Sequence, residues 1–422
     1  MLTLLQVNVT SNWGSTGKIA EQIGLCAATH GWKSYIAYGR MSNPSKNQLV
    51  KIGSALDTYE HYLEGLLFDN EGLASRRATK KFLRHIAEIK PNVVHLHNIH
   101  DHYLNYKLLF EYLNTTSIKV VWTFHDFWPV TGHCMHFVSK SCGKYRDGCS
   151  DCPMKSIYPK TILDFSSRNF KLKKKLFAAN RNLHIVTVSQ WVADMVKLSF
   201  LGDKPIRVIS NGVDLNVFKP TSVADIDNEA EMSDLFDRIE DKFVILSVAS
   251  QWKHDKGLDD YVKMSSVLDK DEIIVLVGVD EQISKNLPNN IIGIKHTNNA
   301  KELAALYSRA DVVTVLSSAE TFGLTVVEGY ACGTPAVVYN NTAPPALITK
   351  ETGLVANNGD YMAAYEAIRI IKNKGKIFYS DSCINFVAKK YNKDKCFEKY
   401  VQLYNDITLQ DGSQESWNAA YR

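Results

Sequence analysis

Short runs rich in valine and isoleucine, LTLLQVNV, SYIAYG, VVHLH, KVVWTFH, HIVTVS and IRVIS, punctuate the first half of the chain, with longer amphipathic stretches between them. Such runs, closed by polar or glycine positions, predict buried strands, and their alternation with helical stretches predicts βαβ units on a parallel sheet. FVILSVAS, EIIVLVGV, DVVTVLSS and TPAVVYN repeat the rhythm in the second half, between the helical segments LDDYVKMSSVL and AKELAALYSRA. The pattern predicts an α/β protein of two domains, residues 1–218 and 219–390, followed by a helical segment, 391–422, that crosses back to the first. The acidic stretch TSVADIDNEAEMSDLFDRIEDK, from Thr221 to Lys242, starts with little apolar periodicity, and its beginning reads as the interdomain linker.

Length and composition agree with that division. A chain of 422 residues exceeds what one hydrophobic core supports, which favours two domains of roughly 200 residues. Hydrophobic residues at 45% and charged residues at 22% exclude the disordered and fibrous classes. A formal charge of +4 is too small to argue by itself for a nucleic-acid partner, where a concentrated basic footprint is expected. The start, MLTLLQVNVTSNWG, carries no basic leader and turns polar at Gln6, so it is read as a first strand rather than a signal peptide. No apolar run reaches membrane-spanning length, and a cytoplasmic location is expected.

In open α/β sheets ligands bind beyond the carboxyl ends of the strands, so the residues after each run carry the candidate chemistry. After DVVTVLSS comes ETFGLTVVEGYACGTPAVVYN, Glu320 to Asn340. Gly323, near the start of a helix, lets backbone approach a ligand, and the unpaired N–H groups there suit a diphosphate. Glu328, two turns on, is placed to accept hydrogen bonds from vicinal hydroxyls, as a ribose offers, and Glu320 to meet a sugar. Taken alone, the two glutamates would be a helix-terminal carboxylate and a solvated face.

In the first half, KVVWTFHDFW puts His125 at a strand end, with Asp126 beside it orienting a loop. GSTGKIAEQI, Gly14 to Ile23, follows the first strand and opens a helix. It is not a nucleoside-triphosphate loop, which needs a glycine where Asn12 stands and a hydroxyl residue where Ile19 stands. HLHNIHDHY holds His95, His97, His100 and His102. Only Asp101 accompanies them as a carboxylate, so they read as polar residues at a strand end rather than as a metal centre.

Four of the eight cysteines, Cys134, Cys142, Cys149 and Cys152, fall in one 19-residue stretch with the spacing C-x7-C-x6-C-x2-C. Four thiolates would bind structural zinc and staple an insertion over 130–160 that lacks its own core; free or redox-active thiols are the other reading. Two basic stretches, RRATKKFLRH (Arg76 to His85) and RNFKLKKKLFAANR (Arg168 to Arg181), predict helices with cations on one face. Phe170, Leu172, Leu176 and Phe177, interleaved in the second, would let it rest on anionic lipid.

The segment from Glu320 to Pro335 resembles the signature of the family-four retaining glycosyltransferases: a Glu, then Phe-Gly, then a second Glu, then Ala-Cys-Gly-Thr-Pro, here Glu320, Phe322, Gly323, Glu328 and Ala331 through Pro335. ISNGVDLNVF (Ile209 to Phe218) and FVILSVASQWKHDKGL (Phe243 to Leu258) are similar to the segments that close the family's first domain and open its second. The resemblance implies the GT-B fold, two Rossmann-like domains facing each other across a deep cleft. It implies retaining transfer of a sugar, without a catalytic metal, from a nucleotide-sugar to a carbohydrate or lipid-linked acceptor, of the kind found in bacterial surface-polysaccharide synthesis. Peripheral contact with anionic membrane fits such an acceptor, and no nucleic acid is expected.

Residue by residue, the resemblance puts Lys256 on the donor diphosphate, Glu320 on the sugar and Glu328 on the ribose. Phe322, Gly323, Leu324 and Thr325 line the same donor site. His125 faces the donor near the reacting centre, and Gly14, Thr16 and Gly17 lie over its phosphate. Two departures stand out. Where the family has an arginine, five residues before Lys256, this chain has Gln251, with Lys253 or His254 as the nearest substitutes. In NTAPPALI, Ala343 and Ala346 replace the usual Gly and Glu. The departures motivate a rival reading, a catalytically weak sugar-binding subunit of a polysaccharide assembly complex; a GT-B nucleotide-sugar epimerase is the rival among enzymes.

Overall fold

The computed structural model describes the backbone of residues 1–222, 230–252 and 254–420, and the side chains of all of these except 230, 231, 254 and 410–420. The chain forms two compact units, Met1–Ser210 with Asp394–Arg422, and Asn211–Lys393.

The first unit is built on seven parallel strands: β1 (Thr3–Asn8), β2 (Lys33–Tyr38), β3 (Gln48–Lys51), β4 (Val93–Leu96), β5 (Lys119–Phe124), β6 (Leu183–Thr187) and β7 (Ile206–Val208). They lie in the order β3-β2-β1-β4-β5-β6-β7. The helices between them are α1 (Gly14–Thr29), α2 (Ala55–Phe68), α3 (Arg76–Ile89), α4 (Tyr106–Leu113), α5 (Ser166–Ala179) and α6 (Gln190–Lys197). The strand order reverses between β1 and β4, so the loops after those two strands open onto the switch point where such sheets bind ligands.

The second unit repeats the scheme. Its six parallel strands are β8 (Phe243–Val248), β9 (Glu272–Val277), β10 (Ile291–Ile294), β11 (Val312–Val315), β12 (Ala336–Tyr339) and β13 (Gly353–Ala356), in the order β10-β9-β8-β11-β12-β13. Its helices are α7 (Ala230–Arg238), α8 (Leu258–Ser265), α9 (Glu281–Ser284), α10 (Ala300–Arg309), α11 (Leu324–Ala331), α12 (Tyr361–Lys374) and α13 (Ile377–Lys390). Here the switch point lies between β8 and β11. Both units are Rossmann-like, as the alternating pattern predicts. Most of the expected linker, 223–229, lies outside the described residues.

The last helix, α14 (Lys393–Ala420), belongs to the first unit from Asp394 on. Phe397, Tyr400, Val401, Tyr404 and Ile407 are buried in one cluster with Leu4 of β1, Ile23 of α1 and Val121 of β5. Burying each such side chain stabilises by about 1.5–3 kcal/mol, so α14 is part of this core. The Tyr404 hydroxyl also bonds His95 Nδ1 at 2.7 Å, and Thr123 Oγ1 donates to the Tyr400 hydroxyl at 3.3 Å.

The boundary between units falls ahead of Asn211–Phe218 rather than after it. Val213 forms a parallel bridge with Asn392, and Asp214 pairs with Lys393 at 2.7 Å. These bonds hold the segment to the second unit. No helix among the described residues is long and apolar enough to cross a membrane.

Candidate functional site

In the second unit, the chain leaving β8 makes a short 3-10 turn, His254–Lys256, and then enters α8 through Gly257. Gly257 has φ +77°, and a Cβ there would meet the Leu316 carbonyl oxygen at 2.3 Å, so this position requires glycine. The turn is fastened to the loop after β11, because Ser318 N–H donates to the Asp255 carbonyl at 2.8 Å. The result brings Lys256 Nζ to 2.5 Å from Glu320 Oε1, across 64 residues of sequence. Burial opposes charge on Lys256, but the Glu320 carboxylate and its hydrogen bond outweigh it and raise the pKa, so the ammonium form is favoured. Both side chains keep about a quarter of their surface open, 25% and 24%, which leaves access for a ligand.

Three residues after Glu320, Gly323 adopts φ +97° and opens α11 with no side chain capping its first turn. That leaves peptide N–H groups at Leu324 and Thr325, both half-buried, as donors for an anion. The Phe322 ring is 4% exposed and lies edge-on to Tyr391 at 5.6 Å, so this residue packs the turn and can meet a ligand through its backbone alone. One turn further, Glu328 Oε2 accepts a hydrogen bond from the buried Tyr307 hydroxyl of α10 at 2.9 Å. Sequence reading did not find Tyr307, because ALYSRA shows a tyrosine on an apolar helix face and a core role explains it equally well. Two surface hollows of about 640 and 600 Å3 in this unit, one beside Leu258 and Asn286 and one beside Ser308 and Lys376, are lined by none of these residues.

In the first unit, His125 follows β5 and its Nε2 lies 3.1 Å from His97 Nδ1. Gln6 donates through Nε2 to the Ala20 carbonyl, so its Oε1 is an acceptor for His97 Nε2 at 3.1 Å. His97 therefore carries its proton on Nε2 and accepts on Nδ1, and His125 donates from Nε2; the network assigns both tautomers. Burial pushes both imidazoles down, His125 to about 4, with the His100 charge adding to the effect and Asp126 opposing it. The hydrogen-bond donation expected of neutral His125 toward a sugar or phosphate would have to break its Nε2 bond to His97.

The neighbouring histidines are committed to structure. His95 uses both nitrogens, on Thr123 Oγ1 and the Tyr404 hydroxyl, each at 2.7 Å. His100 Nε2 pairs with Asp126 Oδ2 at 2.9 Å, while Asp126 Oδ1 accepts the Trp128 N–H at 2.8 Å and so orients the loop after β5. His61, Glu71 and His102 are the one group of three donors close enough to share an ion among the described residues. His61 accepts the Gly72 N–H at 2.9 Å and bonds the Ser75 hydroxyl at 2.8 Å, which uses both of its nitrogens. At the start of α1, Gly14 has φ +64° and open space around it. Thr16 Oγ1 accepts a bond from Asn8 at 3.3 Å, and a Cβ on Gly17 would strike Thr10 Oγ1 at 2.6 Å. Gly17 is needed for this close packing whatever lies above the helix.

Two family models match the chain, Glycosyltransferase Family 4 over residues 24–217 and Glycosyl transferases group 1 over residues 229–385, which together take in every strand of the two sheets except β1. The chain belongs to the group 1 glycosyltransferases. This glycosyltransferase is 21% identical over 428 residues to the colanic acid biosynthesis glycosyl transferase named WcaC of Escherichia coli (strain K12), covering 96% of this chain and 100% of that one. Sucrose-phosphate synthase from Thermosynechococcus elongatus superposes with a TM-score of 0.72 at 16% identity, over 97% of this chain and 100% of the other. HepE of Anabaena in complex with UDP-glucose gives a TM-score of 0.63 at 14% identity, over 96% and 100% of the two chains. At these identities the solved structures show a shared fold.

Several sequence expectations for the glycosyltransferase meet different surroundings. Gln251 is exposed. Lys253 lies outside the described residues, as does the side chain of His254. Ala343 contributes its backbone, donating to the Glu320 carbonyl at 3.2 Å. Three of the four apolar residues of the second basic stretch are core, Phe170 at 3%, Leu176 at 8% and Phe177 at 0% exposed, and Leu172 is half-buried, so α5 offers lipid no apolar face built from them. All eight cysteines are free thiols. Cys134, Cys142, Cys149 and Cys152 line a single cavity of about 10 Å3, although no three of their sulfurs lie within 4.8 Å of one another.

Proposed function

We propose that the protein moves a sugar from a nucleotide-sugar to a carbohydrate or lipid-linked acceptor, with retention at the anomeric carbon and without a divalent cation. The observation that carries this reading is the Lys256–Glu320 pair, three residues ahead of the uncapped start of α11. An ammonium and peptide N–H donors are what a departing diphosphate needs for charge compensation. Lys256 takes a phosphate oxygen, Glu320 turns to the sugar hydroxyls, and Glu328, steadied by Tyr307, accepts from the ribose. The bond from the anomeric carbon to the diphosphate breaks while the acceptor oxygen bonds the same face. The acceptor proton passes to a diphosphate oxygen, so no side-chain nucleophile is required. His125 and the Gly14–Gly17 turn are assigned to the donor side of this reaction through the family likeness.

Two names among similar proteins favour a surface-polysaccharide role and a nucleotide-sugar donor: WcaC is named for colanic acid biosynthesis, and the HepE structure contains UDP-glucose. A panel of nucleotide-sugars, assayed for nucleotide release with and without chelator, tests the proposal. The expected result is release unchanged by chelation and a product whose anomeric configuration, read by NMR coupling, matches the donor. An inverted product or an absolute need for added cation overturns the mechanism. No release from any donor favours a sugar-binding subunit.

The lipid-linked class of acceptor draws support from a surface of the first unit. Leu56, Tyr59, Leu63 and Leu67 share one face of α2 by helical spacing and are 65%, 59%, 36% and 42% exposed. Ile162 and Leu163 extend this apolar face, since Ile162 N–H bonds the Leu66 carbonyl at 2.7 Å. The adjacent α3 exposes Arg76, Arg77, Lys80, Lys81 and Arg84, with Arg76 lying 3.5 Å from Glu64 of α2. Apolar side chains flanked by five cations fit the boundary of an anionic bilayer, which moves the expected membrane contact from α5 to α2 and α3.

A further inference from the structure

Between the 3-10 turn Trp128–Val130 and α5, residues 131–165 form neither strand nor α-helix; one further 3-10 turn, Val138–Lys140, is their only regular piece. Their own larger buried apolar side chains are Phe137 and Tyr145, stacked with centroids 4.2 Å apart, and Met154. A segment of this length with so little to bury does not hold one conformation by the hydrophobic effect alone. The same segment carries half of the protein's cysteines, and all four line one cavity of about 10 Å3, roughly the space of a single ion.

Three further features bear on these cysteines. His133, 3% exposed, also lines the cavity; Asp69 Oδ1 lies 2.6 Å from its Nδ1, and its buried Nε2 has no hydrogen-bond partner. Backbone N–H groups already address two of the sulfurs, Gly132 donating to Cys149 Sγ at 3.2 Å and Met154 to Cys152 Sγ. Such N–H···S bonds stabilise thiolate over thiol. Lys173 of α5 is 1% exposed and donates to the Trp128 carbonyl at 2.7 Å; its ammonium faces Asp69, Cys149 and Cys134. Asp69 gives Lys173 one anionic neighbour, and a metal tetrathiolate, net −2, would give it a second.

We propose that Cys134, Cys142, Cys149 and Cys152 bind one zinc-class divalent cation as thiolates, with the Asp69–His133 pair and Lys173 as its surrounding charge partners. Cys134 and Cys152, hydrogen-bonded to one another, form the half of the site that is already assembled. Ligation releases four protons to solvent and draws the sulfurs to about 2.3 Å from the ion. The ion's role is structural: it closes 131–165 against α5, through Cys149 beside Gly132 and through Asp164, whose carboxylate accepts the Cys152 and Ser166 N–H groups at 2.5 and 2.8 Å. No open coordination position is required for sugar transfer, so the site stands or falls apart from the catalytic reading.

The test is metal content of the full-length protein, purified under reducing conditions without chelator or metal-affinity resin. About one zinc per chain is expected by elemental mass spectrometry. Cys149→Ser and Cys152→Ser should each lower zinc at least several-fold, and Cys26→Ser, outside the segment, should leave it unchanged. Should the serine variants fail to fold, wild-type protein stripped by chelator and given cobalt(II) supplies a second measurement. Thiolate-to-cobalt charge transfer with intense tetrahedral d–d bands is expected at one equivalent. Zinc-free wild-type protein that takes up no cobalt overturns the proposal, and so does a Cys134–Cys152 disulfide in the freshly isolated chain.

Discussion

Lys256 and Glu320 are joined by a 2.5 Å hydrogen bond although 64 residues separate them. Each stands in a loop that follows one of the two central strands of the second sheet, β8 and β11, and the pairing of those strands fixes their approach. The candidate site therefore has a rigid support in the sheet and a charge pair that a ligand must compete with. Substituting Lys256→Ala removes the ammonium proposed for the diphosphate and should lower turnover by about a hundred-fold or more, ~3 kcal/mol of transition-state stabilisation. Glu320→Gln should also lower turnover, and the effects of the two should fall well short of additive because the groups share one bond. Nucleotide release by the single and double variants measures this, and wild-type rates in Lys256→Ala reject the assignment.

Tyr307→Phe tests Glu328 without touching it. The substitution removes the 2.9 Å bond to Glu328 Oε2 and nothing else of the tyrosine's volume. The expected cost is about 1 kcal/mol in donor affinity, a several-fold rise in Kd, with turnover at saturating donor nearly unchanged. Titration calorimetry with the preferred nucleotide-sugar separates the two quantities. A change in turnover alone contradicts a ribose-positioning role.

Burial holds the pKa values of His95, His97 and His125 below the ordinary histidine value, His125 at about 4. In the unfolded chain each titrates near 6.5. Between these limits the unfolded state holds protons the native state does not, so stability rises with pH over that interval, is complete above about 6.5, and is lost as pH falls. Each site contributes at most about 1.4 kcal/mol per pH unit. His100 and His102, raised by Asp126 and Glu71 against the effect of burial, act in the other sense: their contribution is present below about 6.5 and is lost as pH rises through their folded values. Denaturant midpoints should drop between pH 7 and 5, and less steeply in His125→Gln. Equal slopes in both proteins exclude His125 from this titration.

Tyr404→Phe leaves His95 Nδ1 buried without its 2.7 Å partner and should cost about 1–3 kcal/mol of stability. Removing the chain from Asp394 onward uncovers the whole cluster around Leu4 and Ile23 and should yield aggregated protein. Urea unfolding and size-exclusion chromatography report the two outcomes. A truncated chain that stays monomeric and cooperative shows that α14 is dispensable to the core.

Leu63→Asp with Leu67→Asp should abolish flotation with vesicles rich in anionic phospholipid, since both residues lie on the exposed face of α2. Lys80→Glu with Lys81→Glu should weaken flotation and flatten its salt dependence. Lys174→Glu on α5 serves as the control. Flotation that depends on α5 and not on α2 reverses the assignment.

The sequence by itself determined the fold class and the positions of most strands. Buried parallel strands demand continuous Val and Ile runs, and those runs mark ten of the thirteen strands. The three it did not reveal, β3, β10 and β13, are four-residue edge strands, bonded on one side only and under weaker demand for a readable pattern. It also singled out Glu320 and Glu328 as candidates, because a helix opening after a strand is a local arrangement, whereas Lys256 entered only through the family resemblance. What only the tertiary structure decided depends on contacts between distant segments: the Lys256–Glu320 bond, Tyr307 beneath Glu328, the His97–His125 tautomers, and Phe397 to Ile407 completing the first core. A hydrogen bond has a direction and a partner, and burial depends on everything packed around a side chain. Neither is written in the spacing of residues along the chain.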